Sequence, residues 1–192
     1  MITQRDIVTM NLSEFQLALA KAEACNLLYC RQSAGADPAG VSRIRNSQDR
    51  RDKLMQDAVI GQIGTLAMSV YWTGGVAQYI ESRKHANATP TLGDNGSDIW
   101  NCDVKTSILL EGKQIRDYHL IVRPHELHEK IWYSRALVSA KDLSRVYLCG
   151  WLTSRDLTIL SINKSGSEVF GNAYMVPITE LNPLPPMKVP AV

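Results

Sequence analysis

From about Ser47 to Tyr71 the chain carries one uninterrupted helical pattern. Leu54, Ala58, Gly61, Thr65 and Met68 recur at three- and four-residue steps, and Val59, Ile63, Leu66 and Val70 repeat the spacing on a neighbouring stripe. A helix that is small or apolar around so much of its circumference has to be buried, so the rest of the chain must be built around it. Gly61 and Gly64 allow another element to approach its backbone closely, at about 1 kcal/mol each relative to alanine. Gly74 and Gly75 predict where it stops.

The elements around this helix are read from shorter signals. Ser13 with Gln16 three residues later has the form of a capping box, opening a helix through Phe15, Leu17, Leu19, Ala22 and Leu28 that ends near Cys30. Residues 33–42 read as a loop, and residues 76–84 as a short helix or strand followed by a polar, turn-rich stretch over 85–96. Strand character marks 106–110, 118–123, 132–139 and 146–151, with a hairpin turn at 111–114 between the first two. Ser154 starts a short helix, and the proline-rich end from Asn182 is expected to be extended.

With 192 residues the chain can bury a sizeable core, and its net charge of +2 is too small to name a polyanionic partner. No segment has the length of a membrane span and residues 1–11 lack the apolar core of a signal peptide, which predicts a cytoplasmic protein with no membrane partner. Cys25, Cys30, Cys102 and Cys149 show no CxxC pair and are expected to be free thiols.

Chemistry concentrates between Gly93 and Ser107, where Asp98, Asp103 and Lys105 fall within eight positions. Residues five apart on one straight strand point to opposite faces and could not share an ion. A two-residue turn at Trp100 and Asn101 resolves this: Ile99 would pair with Cys102, placing Asp98 opposite Asp103 on one face, about 5 Å apart at Cβ. Tryptophan is a poor residue for the positive φ of such turns, so a wider bend or bulge would serve equally. Lys105 returns to the face of Asp103.

Two carboxylates so close repel unless a cation lies between them, and hard oxygen ligands suit Mg²⁺ or Mn²⁺. Such a site supports phosphodiester hydrolysis, with a nearby lysine stabilising charge on the phosphorus oxygens. An acidic residue, any residue, then lysine also arises by chance. The second instance here, Glu111-Gly112-Lys113, reads as solvated loop, while Asp103-Val104-Lys105 is set apart by the glycine-rich approach, Asp98 and the β-prone run that follows.

Asp98, Asp103 and Lys105 resemble the core motif of the PD-(D/E)xK phosphodiesterase superfamily of restriction-endonuclease-like nucleases. Residues 59–67 look like the glycine-containing helix that precedes that motif, and 118–122 with 146–153 look like the later strands of small bacterial and phage-associated members. The resemblance spans about residues 50–185 and is most specific at the triplet.

It implies an α/β fold with a restriction-endonuclease-like core, a central mixed β-sheet flanked by α-helices, here with an extra N-terminal helix. The organisation expected is a single nuclease-like domain over 1–192, with an N-terminal helix and loop at 1–42, the core at 43–185 and an extended tail at 186–192. It further implies Mg²⁺ (or Mn²⁺) held by Asp98, Asp103 and the Val104 carbonyl, with Lys105 as the catalytic cation and DNA as the partner. The activity implied is that of a restriction, repair or phage-associated endonuclease. A homodimer is compatible with this, since cutting both strands takes two sites or two visits.

Many relatives add a glutamate from the preceding helix. The matching neighbourhood here offers Gln62 and Thr65, on one helical face. That substitution leaves a single-ion mechanism, or a catalytically weak or inactive DNA-binding protein of the same fold, as alternatives.

Arg43, Arg45, Arg50, Arg51 and Lys53, set against Asp49 and Asp52, leave a local excess of three positive charges that could meet phosphates or simply be a solvated helix start. Arg83, Lys84 and His85 are a second basic candidate. His125, Glu126, His128 and Glu129 lack the spacing of a zinc-protease helix and read as an exposed loop or helix start. His119 is expected either near substrate or partly buried with a backbone partner, and Trp72, Trp100, Trp132 and Trp151 as core or edge aromatics.

Overall fold

The computed structural model describes residues 2–33, 47–88, 98–161 and 173–186. In these, β1 (Val8–Asn11) is followed by helices α1 (Glu14–Ser33), α2 (Ser47–Thr73) and α3 (Ala77–Ala88). Then come β2 (Cys102–Leu109), β3 (His119–Val122), β4 (Trp132–Ser139), β5 (Arg145–Thr153), α4 (Ser154–Leu160) and β6 (Tyr174–Pro177). The result is a mixed α/β structure with a four-stranded mixed sheet in the order β1-β5-β4-β2 and a separate two-stranded ribbon of β3 and β6.

The long helical pattern is α2, and residues 62–69 are all buried along it. Ile63, Leu66 and Met68 are fully enclosed, each contributing about 1.5–3 kcal/mol of burial. At its C-terminus Gly74 adopts φ 73° and donates its N–H to Val70 O at 2.8 Å, the left-handed cap that the Gly74-Gly75 pair predicted. The capping box of α1 is also present, with Ser13 N–H donating to Gln16 Oε1 at 2.8 Å and Gln16 N–H to Ser13 Oγ at 3.3 Å.

α2 lies on the sheet, over β2, β4 and β5, with α1 packed against α2. Even-numbered residues of β2 face it: Cys102 and Val104 belong to the same buried cluster as Ile60, Ile63 and Ala67. The approach is closest at Gly64, where any Cβ would collide with the Thr106 side chain. The opposite face of the sheet is covered by the β3–β6 ribbon and α4 around a second buried cluster that includes Leu120, Tyr133, Leu137, Cys149, Leu157 and Val176.

Several expectations shift. β2 begins at Cys102 rather than Thr106, residues 77–88 are helix where a turn-rich stretch was expected from His85, and β1 and β6 carry no sequence signal strong enough to announce them. The 111–114 turn forms, with Lys113 N–H donating to Leu110 O at 3.2 Å, but it is not a hairpin: β2 pairs in parallel with β4, while β3 turns away to pair with β6. The proline-rich segment is extended through Pro186, and the loop at 34–46 and the stretch at 89–97 lie outside the described residues. Among the described residues no helix is long and apolar enough to cross a membrane. All four cysteines are free.

Substitution of the two α2 glycines separates backbone entropy from close packing. Gly61 has open space around its missing Cβ, so Gly61→Ala should stabilise the fold by about 0.5–1 kcal/mol, whereas Gly64→Ala should destabilise it by about 1–3 kcal/mol, both read from chemical denaturation.

Candidate functional site

The turn at Trp100 and Asn101 forms. Ile99 and Cys102 make an antiparallel bridge, with Cys102 N–H donating to Ile99 O at 2.9 Å and Ile99 N–H returning to Cys102 O at 3.1 Å. Trp100 takes the positive φ itself, at 50°, so no wider bend is needed. Its ring lies 5.7 Å from that of Trp72, a contact that helps to hold a conformation bulky residues disfavour.

Asp98 does not continue a regular ladder opposite Asp103. Its N–H also donates to Cys102 O, at 2.8 Å, and its carboxylate turns along the edge of β2, where Oδ2 accepts the Val104 N–H at 2.9 Å. Among the described residues β2 is the outermost strand of its sheet, and Val104 points its N–H and carbonyl away from β4. The carboxylate stands in for a neighbouring strand at the N–H, and Thr106 Oγ1 donates to the carbonyl at 3.3 Å. From α3 the buried Arg83 donates Nη2–H to Asp98 O at 2.6 Å and sets its charge 3.7 Å from Asp98 Oδ1. Arg83, expected to be part of a basic surface, instead fixes the aspartate from behind.

Asp103 and Lys105, on odd positions, point to the other face. Lys105 Nζ sits 2.9 Å from Asp103 Oδ2 and 3.1 Å from Glu126 Oε2. Burial acts to lower the Lys105 pKa, but Asp103 and Glu126 outweigh it and raise it above the ordinary lysine value, so the side chain is a fixed cation. For Glu126 burial acts to raise the pKa, yet the Arg123 N–H at 3.0 Å and the Lys105 ammonium prevail and lower it. Behind Lys105 the buried Arg135 donates from Nη1 to Lys105 O at 3.0 Å and from Nη2 to Ser107 Oγ, anchoring the strand.

Glu126 belongs to the stretch read as an exposed loop. It sits on a 3-10 turn, Pro124–Glu126, and Tyr133 fastens that turn by donating its hydroxyl to Glu126 O at 2.8 Å while accepting the His128 N–H at 2.7 Å. Nothing in the sequence separates Glu126 from Glu129. What selects it is the β3–β4 connection crossing back over β2.

Gln62 and Thr65 are buried on α2, on the opposite face of the sheet from Asp103 and Lys105. Gln62 Oε1 accepts the Tyr79 hydroxyl at 2.8 Å, and burial holds the Tyr79 pKa far above its usual value. Of the basic cluster, Arg43 and Arg45 lie outside the described residues, as does the side chain of Arg50; Arg51 is exposed, and Lys53 pairs with Asp57 at 2.6 Å. Lys84 Nζ lies 3.5 Å from Glu81.

Asp98, Asp103 and the Val104 carbonyl carry hard oxygen donors, the type that could hold Mg²⁺ or Mn²⁺ rather than a softer metal. Among the described residues no three His, Cys, Asp or Glu side chains group closely enough to hold a metal by themselves. No protein-family model, curated protein or solved structure matches the chain.

The Glu126–Lys105 pair gives a signed pH dependence. A lowered Glu126 pKa stabilises the fold above the unfolded-state value of about 4.3, and the gain is lost as pH falls through the lower folded value. Glu126→Gln should therefore cost about 1 kcal/mol at neutral pH, and its deficit relative to wild type should close as denaturation is repeated from pH 5 downward.

Proposed function

We propose that the chain is a metal-dependent nuclease that hydrolyses DNA phosphodiester bonds on a restriction-endonuclease-like core. What supports this reading is the start of β2, where Ile99 and Cys102 close a tight turn, Asp98 accepts the Val104 N–H at 2.9 Å and Lys105 Nζ lies 2.9 Å from Asp103. Asp98, Asp103 and the Val104 carbonyl would hold Mg²⁺ or Mn²⁺. When bound, the ion supplies a water of lowered pKa and neutralises charge on the phosphate oxygens.

The chain's own groups do the rest. Arg83 and the Val104 N–H keep Asp98 from rotating away from the edge. Lys105 places an ammonium beside Asp103, where it can meet the charge that grows on a non-bridging phosphate oxygen. Glu126 holds that ammonium from the other side, making it a positioning residue.

A second reading is a DNA-binding protein that retains this fold with weak or no catalysis. It is favoured by Gln62, which stands where relatives of the resembled family often carry a carboxylate and which gives its amide oxygen to Tyr79.

Lys105→Ala should lower Mg²⁺-dependent DNA cleavage by at least about 100-fold while changing DNA affinity less than about threefold, measured on duplex, single-stranded and branched substrates. Full activity in that variant or in Asp103→Ala would overturn the nuclease reading. Wild-type binding without cleavage under Mg²⁺ and Mn²⁺ would establish the second.

A further inference from the structure

The turn that carries the candidate site also carries an aromatic surface, which the sequence reading assigned to the core or sheet edge. Trp72, Trp100, Trp132 and Trp151 come from α2, the turn, β4 and β5, yet they form one connected group. Ring centroids are 5.7 Å apart for Trp72 and Trp100, 6.5 Å and edge-on for Trp72 and Trp132, and 4.8 Å for Trp132 and Trp151. Trp100 and Trp132 are respectively 51% and 42% exposed, although rings of this size usually seek the core. With Trp72, Asn101, Pro185 and Pro186 they line a groove of about 530 Å³, within the range of small-ligand sites.

The groove is built rather than incidental. Its proline wall is fixed at three points: Trp151 and Asn182 exchange backbone hydrogen bonds at 3.0 Å, Trp151 Nε1 donates to Pro183 O at 3.0 Å, and the Tyr71 hydroxyl donates to Pro185 O at 2.7 Å. Trp100 reaches the groove only by adopting a φ that tryptophan disfavours. Among the described residues no charged side chain lines it, and flat indole rings with one amide, Asn101, suit an uncharged planar heterocycle with polar edges better than a phosphate. A proline-rich peptide is the poorer occupant, because the chain's own prolines already lie against these tryptophans.

We infer that the groove between Trp100 and Trp132 stacks an unpaired nucleobase of the nucleic acid whose backbone lies at Asp98, Asp103 and Lys105. The inference rests on the proposed nuclease reading and deepens it. Trp100 is two residues from Asp98 and three from Asp103, so the base would be held within about 10 Å of the candidate site. A fully paired duplex offers no free base at that distance. The protein should therefore prefer DNA with a single-stranded or frayed segment over a blunt duplex.

The test is intrinsic tryptophan fluorescence in EDTA, titrating wild type, Trp100→Gly and Trp132→Leu with oligothymidine and with a blunt duplex. Glycine accepts the positive φ, so Trp100→Gly removes the ring without straining the turn. Wild-type emission should be quenched by oligothymidine. Each variant should bind oligothymidine about tenfold more weakly, with duplex affinity unchanged. Unchanged oligothymidine affinity in both folded variants, an equal loss on both ligands, or quenching by a proline-rich peptide or an oligosaccharide in place of oligothymidine would overturn the inference. Duplex cleavage that survives any of these results leaves the nuclease reading standing, whereas wild-type protein that neither binds nor cleaves DNA overturns both.

Discussion

An outermost strand must satisfy its outward N–H and carbonyl groups without a neighbouring strand, and at Val104 β2 does so with side chains. Asp98 accepts the Val104 N–H and Thr106 donates to the Val104 carbonyl, so the edge is closed locally at Val104. The same two residues, Asp98 and Val104, are those proposed to hold a divalent cation. Thr106 can serve this edge because Gly64 leaves room for its side chain against α2, which links the packing of the buried helix to the geometry of the site.

Charge at this edge is arranged in layers. Arg83 stands behind Asp98, Lys105 stands between Asp103 and Glu126, and Arg123 Nη1 lies 4.0 Å from Glu126 Oε1. Each partly buried charge therefore has an opposite neighbour, which is what keeps the cluster affordable in a low-dielectric setting.

The sequence carried the elements that depend on local signals. The α2 periodicity, the Ser13–Gln16 capping box, the Gly74 cap and β4 are each written in a few adjacent residues, and the bridge of Ile99 to Cys102 followed from the need to bring Asp98 back beside Asp103. What could not be read depends on long-range pairing. Val8–Asn11 and Tyr174–Pro177 are four residues each and become strands only because β5 and β3 offer them partners. The run 118–123 looked like the hairpin mate of β2, but hairpin patterning cannot tell a neighbour from a strand sent to another sheet. Glu126 and the tryptophan groove were invisible for the same reason: both are assembled from segments brought together by the sheet.

The β2 edge is proposed to bind a divalent cation. Calorimetric titration of the full chain with Mn²⁺ addresses it without relying on catalysis. A saturable heat in wild type that disappears in Asp98→Ala and in Asp103→Ala, with the fold intact by circular dichroism, is the result expected. No heat in wild type, or a heat unchanged by both substitutions, would contradict it.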